Sequence, residues 1–441
     1  MPKKSERDEV SALLTDLYEL TMAAGYFEAG KAKEKASFEL SIRRLPKNRN
    51  FVLAAGVQQV AEYLLNLHFE PAEIDYLRSL PQFRNAPPAF FEYLRYFSFT
   101  GDLFAVPEGT PLFAGEPVLT VRAPLIEAQI PETYLLSSIT FQSLIATKAA
   151  RMVEAAQGRD IVEFGTRRAH TPEAGVLGAR AAYIGGCAGS SNTLAGYRFG
   201  IPVVGTAAHS WVMSFASETD SFRKMQNLLG KQSVHLVDTY DTIEGMRRAI
   251  EVGQPFWGVR LDSGDFLNLS KQARAMLDEA GFTGAKIMVS GDMDEYKIAA
   301  LIRNGAPIDS FGVGTELATS GDAPSMGAIY KMVEIESDGV RRYTAKRSTG
   351  KNSMPGAKQI FRFPDHDVVG RSTECPEGSQ ALLQPVIYGG RPIQPLAGVR
   401  QARERAAAAL AQLPPAIRQI EPSEPYPVQY SALLLELDKT I

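Results

Sequence analysis

From residue 160 onward the chain repeats one pattern: a short apolar run that stops at a small or acidic residue, then a helix-like segment. The runs end at Gly165, around Gly185, at Gly205, at Val237-Asp238, at Leu261-Asp262, at Ser290-Gly291 and at Phe311-Gly312. Helical spacing fills most of the gaps, over 242–253, 266–280 and 294–304. Repetition every 20 to 33 residues or so is the rhythm of βα units, which build a parallel sheet. Seven or so units suit an irregular (β/α) barrel better than a flat sheet, though a doubly wound sheet satisfies the same periodicity. In either arrangement the side chains at the carboxyl ends of the strands converge on one site.

At 441 residues the chain exceeds one ordinary core. Ahead of the repeats, apolar spacing predicts helices over 11–30, 56–67, 71–80 and 87–97. Alternation over 36–42 predicts a strand, and short apolar runs between 102 and 121 with Gly/Pro turns predict a small sheet. A long helical pattern over 131–157 leads into the repeats. After 325 the pattern returns to β, at 328–333, 342–345 and 359–363. The expected architecture is an α/β fold in two parts. An α+β domain over 1–130 is completed by about 325–395, and a barrel domain spans 131–324. A tail over 396–441 carries a helix near 397–412 and a proline-rich stretch.

Composition removes several classes of function. A net charge of -3 with no basic half argues against bulk nucleic-acid or membrane-surface binding, and leaves room for a small basic pocket. Two cysteines, Cys187 and Cys375, allow no disulfide framework and no CxxC, which fits a reducing compartment. The charged N-terminus has no apolar segment behind it, and no apolar run reaches the length of a membrane span. A cytoplasmic enzyme is expected. Gly25-Tyr-Phe-Glu-Ala-Gly30-Lys31 nearly spells a phosphate-binding loop, but it lacks the final Ser/Thr and ends a helix where such a loop follows a strand. A helix C-cap is the better reading.

Chemistry gathers at the strand ends. His209 follows the strand end at Gly205 by four residues, at a predicted helix start. On its own it reads as a loop or core histidine. Asp238 and Asp262 each sit one residue past an apolar strand, and a carboxylate at one ring nitrogen would orient the imidazole and raise its basicity. Arg167 and Arg168 follow the strand ending at Phe164, where guanidiniums suit carboxylate or phosphate. Arg260 and Asp262 alternate with Leu261 and so share one face of a strand. Asp265 could be a helix N-cap. The turns Ser290-Gly291-Asp292 and Gly312-Val-Gly314-Thr315 close late strands, the position where barrels commonly hold phosphate on backbone amides. The five histidines show no metal-ligand spacing. Asp262 with Asp265, or Asp238 with Asp241, could help hold a hydrated Mg²⁺ beside substrate phosphates, or could be salt-bridge partners.

These segments resemble nicotinate phosphoribosyltransferases, type II phosphoribosyltransferases of NAD salvage. The likeness runs from Leu13-Leu-Thr-Asp-Leu-Tyr-Glu-Leu-Thr-Met22 to Pro355-Gly-Ala-Lys-Gln359. It is strongest at Glu163-Phe-Gly-Thr-Arg-Arg168, Gly205-Thr-Ala-Ala-His-Ser210, Arg260-Leu-Asp-Ser-Gly-Asp265 and Phe311-Gly-Val-Gly-Thr315. The resemblance implies transfer of a phosphoribosyl group from 5-phosphoribosyl-1-pyrophosphate to nicotinate, coupled to ATP hydrolysis. It implies that His209 is transiently phosphorylated, that Asp238 is the carboxylate near it, and that Asp262 binds the ribose hydroxyls. Phe164, with Tyr18 from a second subunit, would sandwich the pyridine ring. Arg167 would lie at ring and pyrophosphate, Arg260 near the phosphates, and the two glycine turns at the 5′-phosphate. Mg²⁺ and an obligate homodimer complete the family's site. Nicotinamide-using relatives carry an Asp in the loop that here reads Gly186-Cys-Ala-Gly-Ser-Ser-Asn192. An acid there would repel an anionic substrate, so its absence fits nicotinate. The alternatives are nicotinamide or quinolinate as substrate, or a non-catalytic module that binds a phosphosugar or nucleotide.

Overall fold

A computed structural model describes residues 10–348, 352–393 and 395–441. The chain forms two compact units. The first comprises 1–143, 325–397 and 424–441, and the second 144–324 and 398–423. The tail expected as one segment is therefore divided between them.

The first unit is built on a seven-stranded sheet. Strand Lys35–Arg44 lies inside it, antiparallel to Pro117–Pro124 on one side and to Gly327–Ser337 on the other. The β segments after residue 325 thus complete the N-terminal sheet. The alternation over 36–42 suggests a strand with one wet face, but both faces are covered. Leu40 and Ile42 are fully buried in the core with Leu119, Val121 and Tyr330. Ser37 and Glu39, on the polar face, are buried too. Ser37 donates to Glu334 at 2.9 Å, and Glu39 pairs with Lys358 Nζ at 2.7 Å. Paired this way, polar groups can be buried without the full desolvation cost. Helices Val57–Asn66, Pro71–Ser79 and Pro88–Arg95 occupy the predicted positions. The glycine pair at 25 and 30 falls at the end of helix Leu17–Glu28, and Gly30 takes the left-handed conformation of a helix terminus.

The second unit holds the βα repeats. Its six parallel strands are hydrogen-bonded in the order Gly189–Ser190, Asp160–Glu163, Ser310–Val313, Lys286–Ser290, Gly258–Leu261, Val234–Leu236. Apart from Gly189–Ser190 and Val234–Leu236, which form the two edges, strands adjacent in the chain are adjacent in the sheet, and the first strand lies between the second and the last. Ser190 also bridges in parallel to Val203. That order is compatible with a barrel, and among the described residues no strand pairing joins Val203 to Val234–Leu236. No helix among those residues is long and apolar enough to cross a membrane.

His235, on strand Val234–Leu236, is buried between Phe222 and Phe256, each ring centroid 4.9 Å away. Neither ring nitrogen has a hydrogen-bond partner. Burial lowers its pKa from the ordinary 6.5 to about 4. The unfolded chain then takes up a proton that the native state refuses, so stability falls as pH drops through this window. Between about pH 7 and pH 5 the loss should be about 2 kcal/mol. His235→Leu should flatten that dependence, which urea midpoints at the two pH values will check.

Candidate active site

The carboxyl ends of the parallel strands surround a cavity of about 570 Å³, within the size range of small-molecule sites. Its walls include Phe164, Arg167, Arg168, His209, Arg260, Asp262, and both glycine turns through Ser290, Gly291, Asp292, Gly312, Gly314 and Thr315. All of these belong to the second unit. The turn residues come together because each follows its own strand out of one sheet. Tyr18 does not line the cavity; it lies on helix Leu17–Glu28 of the first unit, exposed to solvent.

Arg260 and Asp262 share a strand face, as their alternation with Leu261 predicts. Arg260 Nη2 lies 2.6 Å from Asp262 Oδ1. The remaining guanidinium nitrogens are also engaged. Nε donates to Ser290 Oγ at 2.7 Å, and Nη1 donates to Thr206 Oγ1 at 2.7 Å and to the Ala207 carbonyl at 3.1 Å. A rigid planar fork held at every nitrogen is a fixed positive charge. The guanidinium carbon also sits 5.9 Å from the centre of the Phe164 ring. Ser290 Oγ in turn donates to Asp262 Oδ1 at 2.5 Å. Partial burial would raise the Asp262 carboxyl, but the Ser290 hydroxyl, the Arg260 guanidinium and the His209 ring outweigh it and hold the group below the usual carboxylate range.

His209 opens the short helix His209–Met213. Its Nδ1 lies 3.1 Å from Thr239 Oγ1, and its Nε2 lies 3.6 Å from Asp262 Oδ2. Asp238 does not reach the ring. Its Oδ2 accepts from the backbone N–H of Asp262 at 3.0 Å and from Ser263 Oγ at 2.7 Å. The resemblance implies Asp238 as the carboxylate near His209; here Asp262 faces the imidazole, and Asp238 braces the loop that carries Asp262. Strand periodicity places both at strand ends but does not say which turns toward the neighbouring loop.

Backbone shape matters at two glycines. A Cβ on Gly312 would lie 2.7 Å from the Phe164 ring, so only glycine lets that ring stand against the turn. Gly291 has φ +98°, and a Cβ there would lie 2.2 Å from the Asp262 carbonyl oxygen. Asp265 and Asp241 serve as N-caps of helices Phe266–Glu279 and Thr242–Val252, accepting from Asn268 and Glu244 amides. In each of the two carboxylate pairs one member is thus a helix cap, and the other is the cavity residue Asp262 or the bracing residue Asp238. Among the described residues no group of three or more His, Cys, Asp or Glu could hold a metal. Magnesium commonly takes only one or two carboxylates and completes its shell with substrate phosphates and water. Asp262 and Asp292, the cavity's carboxylates, fit that lesser demand.

Sequence reasoning missed several parts. Thr166, Ser191, Thr206 and Ala207 also line the cavity, and Thr239 was not picked out at all. Glu163, buried at the end of its strand, accepts from the Gly165 amide and, at 2.5 Å, from Ser190 Oγ. Burial raises its carboxyl, opposed by those two donors. It ties the strand carrying Phe164 to the loop carrying Ser191. A lone acid ending an apolar strand was the available signal.

Comparison with known proteins gives consistent matches. Three family descriptions cover most of the chain: the nicotinate phosphoribosyltransferase N-terminal domain at residues 13–140, the nicotinate phosphoribosyltransferase family at 160–361, and its C-terminal domain at 357–438. A nicotinate phosphoribosyltransferase of Bacillus subtilis is 45% identical over 386 residues, covering 86% of this chain and 77% of the relative. One from Mycobacterium tuberculosis is 42% identical over 438 residues, covering 96% and 92%. The crystal structure of human nicotinic acid phosphoribosyltransferase superposes with a TM-score of 0.84 at 29% identity, covering 97% of this chain and 99% of that one.

Proposed function

The chain belongs to the nicotinate phosphoribosyltransferase family, and from that premise we propose that it joins nicotinate to 5-phosphoribosyl-1-pyrophosphate in NAD salvage, with ATP hydrolysis coupled through His209. The observation that carries this reading is the single cavity in which Phe164, three arginines, Asp262, His209 and the two glycine turns meet. Both main substrates are anionic, and the cavity sets Arg167, Arg168 and Arg260 against the carboxylates of Asp262 and Asp292.

The pyridine nitrogen attacks C1 of the ribose as the C1–oxygen bond breaks, and the bonding pair leaves with pyrophosphate. Positive charge develops at the sugar and negative charge on the leaving group. Fixed charges that match this pattern lower the barrier. Asp262, held ionised by Ser290 and Arg260, is the carboxylate at the ribose. Arg260 and Arg167 face the phosphates. Phe164, braced by Gly312, offers a flat face to the ring. The glycine turns and Thr315 offer backbone amides to the 5′-phosphate. Mg²⁺ carried on the diphosphate would neutralise its charge, and Asp262 and Asp292 are the cavity carboxylates that would help hold it. A second copy of the chain would complete the site by bringing Tyr18 of the partner subunit to the other face of the ring.

His209 takes the phosphoryl group of ATP, leaving ADP, and water then releases phosphate. Thr239 lies at Nδ1 and Asp262 at Nε2, so a phosphoryl group taken up by either nitrogen displaces one of these contacts. Nicotinate is favoured over nicotinamide because residues 186–192 carry no acid and Ser191 is the residue that loop gives to the cavity. Product analysis with nicotinate, nicotinamide and quinolinate, with and without ATP, tests the substrate; turnover of another pyridine in preference to nicotinate would overturn it. His209→Ala should abolish labelling of the protein by γ-labelled ATP and remove the ATP stimulation. Undiminished labelling in that variant would rule His209 out as the acceptor.

A further inference from the structure

We propose that Arg403, on helix Val399–Gln412, is a positioning residue for the cavity: it clamps the turn that delivers Ser191 to the pyridine side. The pyridine assignment rests on the function proposed above; the clamp itself does not.

The helix lays its buried small residues Ala402 and Ala406, with Val399, against its own unit. Small side chains allow close approach, and Arg403 follows directly on that face. Its guanidinium carbon sits 4.7 Å from the centre of the Tyr183 ring. Its Nη1 donates to the Tyr183 carbonyl at 3.2 Å and also to the Cys187 carbonyl. Tyr183 and Cys187 bracket the turn Gly185-Gly186 at the end of helix Pro172–Ile184. Gly186 has φ +110°, and Gly185 packs so closely that a Cβ would lie 2.2 Å from the Ala146 carbonyl oxygen.

Beyond the turn the chain runs straight to the cavity. Ala188 N–H bonds to the Ile161 carbonyl at 2.7 Å, strand Gly189–Ser190 follows, and Ser191 N–H bonds to the Glu163 carbonyl at 2.9 Å. One end of this loop is therefore fixed by Glu163 and the other by Arg403. The clamp comes from a segment more than 200 residues away in sequence. Cys187 is fully buried. Removing the guanidinium takes a charge-assisted donor from a buried carbonyl, and the loop must shift to rehydrate it.

The test uses Cys375→Ser as background, which leaves Cys187 as the only thiol. Burial holds that thiol unreactive in the parent. Arg403→Met keeps the stem and removes the charge. The expected results are a rise of about tenfold in KM for nicotinate, the size of one lost charge-assisted hydrogen bond, and a similar acceleration of Cys187 labelling by an aromatic disulfide. KM for 5-phosphoribosyl-1-pyrophosphate and kcat should stay close to the parent's, while Tm falls by about 3–10 °C, as loss of a donor to a buried carbonyl requires. Arg403→Lys, which keeps the charge and one donor, should restore part of both effects and serves if the Met variant fails to fold. An unchanged labelling rate would overturn the clamp, and so would a uniform loss of kcat and Tm with no selective change in KM. If the parent turns over no nicotinate, the functional reading fails, while the thiol rate still decides the clamp.

Discussion

Replacing Asp262 by asparagine should lower kcat/KM for nicotinate on the order of 10²–10³-fold, a loss of about 3–4 kcal/mol in transition-state stabilisation. The change is nearly isosteric, so its effect is electrical. Asp262 accepts from Arg260 Nη2 and Ser290 Oγ, and its second oxygen faces His209 Nε2. An amide nitrogen turned toward Arg260 would set donor against donor. An amide turned the other way keeps those bonds but removes the negative charge proposed to stand beside the ribose. Either orientation loses the charge that balances a developing cation. The Asp262 side chain is one quarter exposed, so water can soften the structural cost, and Tm should change little. Its carboxyl is held low, so its contribution is present above the usual carboxylate range and fades only as pH falls through its depressed value. The Asn variant should therefore keep the wild-type shape of the pH–rate profile above about pH 5 while its height falls. Steady-state kinetics with a thermal melt check both points. A loss under tenfold would deny Asp262 the role proposed for it.

The sequence reached most of this site because strand-end residues in a βα series are brought together by the topology alone. Once Phe164, His209, Arg260, Ser290 and Gly312 are each placed at or beyond the carboxyl end of a strand in the βα series, their convergence needs no further information. Orientation did need more. Asp238 and Asp262 hold equivalent positions in the pattern, yet one faces the imidazole and the other turns to the backbone of its neighbour. That choice depends on Thr239 and Ser263, ordinary polar residues with no periodic signal. Helix and strand positions were legible wherever local spacing decided them, as in 56–67 and 102–105. Burial on both faces of strand Lys35–Arg44 was not, because it depends on Glu334 and Lys358, roughly 300 residues on. The tail was least legible. Its proline-rich composition gives no sign of where it packs, whereas Arg403 and the Ile420 carbonyl both bond within the second unit.

The second large effect concerns a charged cluster that no local pattern announces. Glu295 is fully buried and lies between Lys148 Nζ at 2.6 Å and Arg151 Nε at 2.9 Å. Both cations are nearly inaccessible as well, at 1% and 2%. Lys148 also meets Asp322 at 2.9 Å, and Arg151 Nη2 donates to the Ile420 carbonyl at 2.8 Å. Glu295→Ala removes the carboxylate both cations share and leaves them in a cavity with too little negative charge. Breaking a buried pair in this way costs about 3–5 kcal/mol, far more than the intact pair contributes over an apolar filling. In a unit of this size that should lower Tm by about 10 °C. Glu295→Gln keeps the volume and one acceptor and should lose less. Lys148→Met combined with Glu295→Leu removes cation and anion together and should recover part of the loss, because the two sites are in contact and their effects do not add. Glu295 opens the helix that follows the Ser290-Gly291-Asp292 turn, so the destabilised variant should also bind 5-phosphoribosyl-1-pyrophosphate more weakly. Melts of the single and double variants decide the matter: a Glu295→Ala protein within about 2 °C of wild type, no more than about 1 kcal/mol would produce, would show that solvent reaches the cluster and that its charges are not held apart from water.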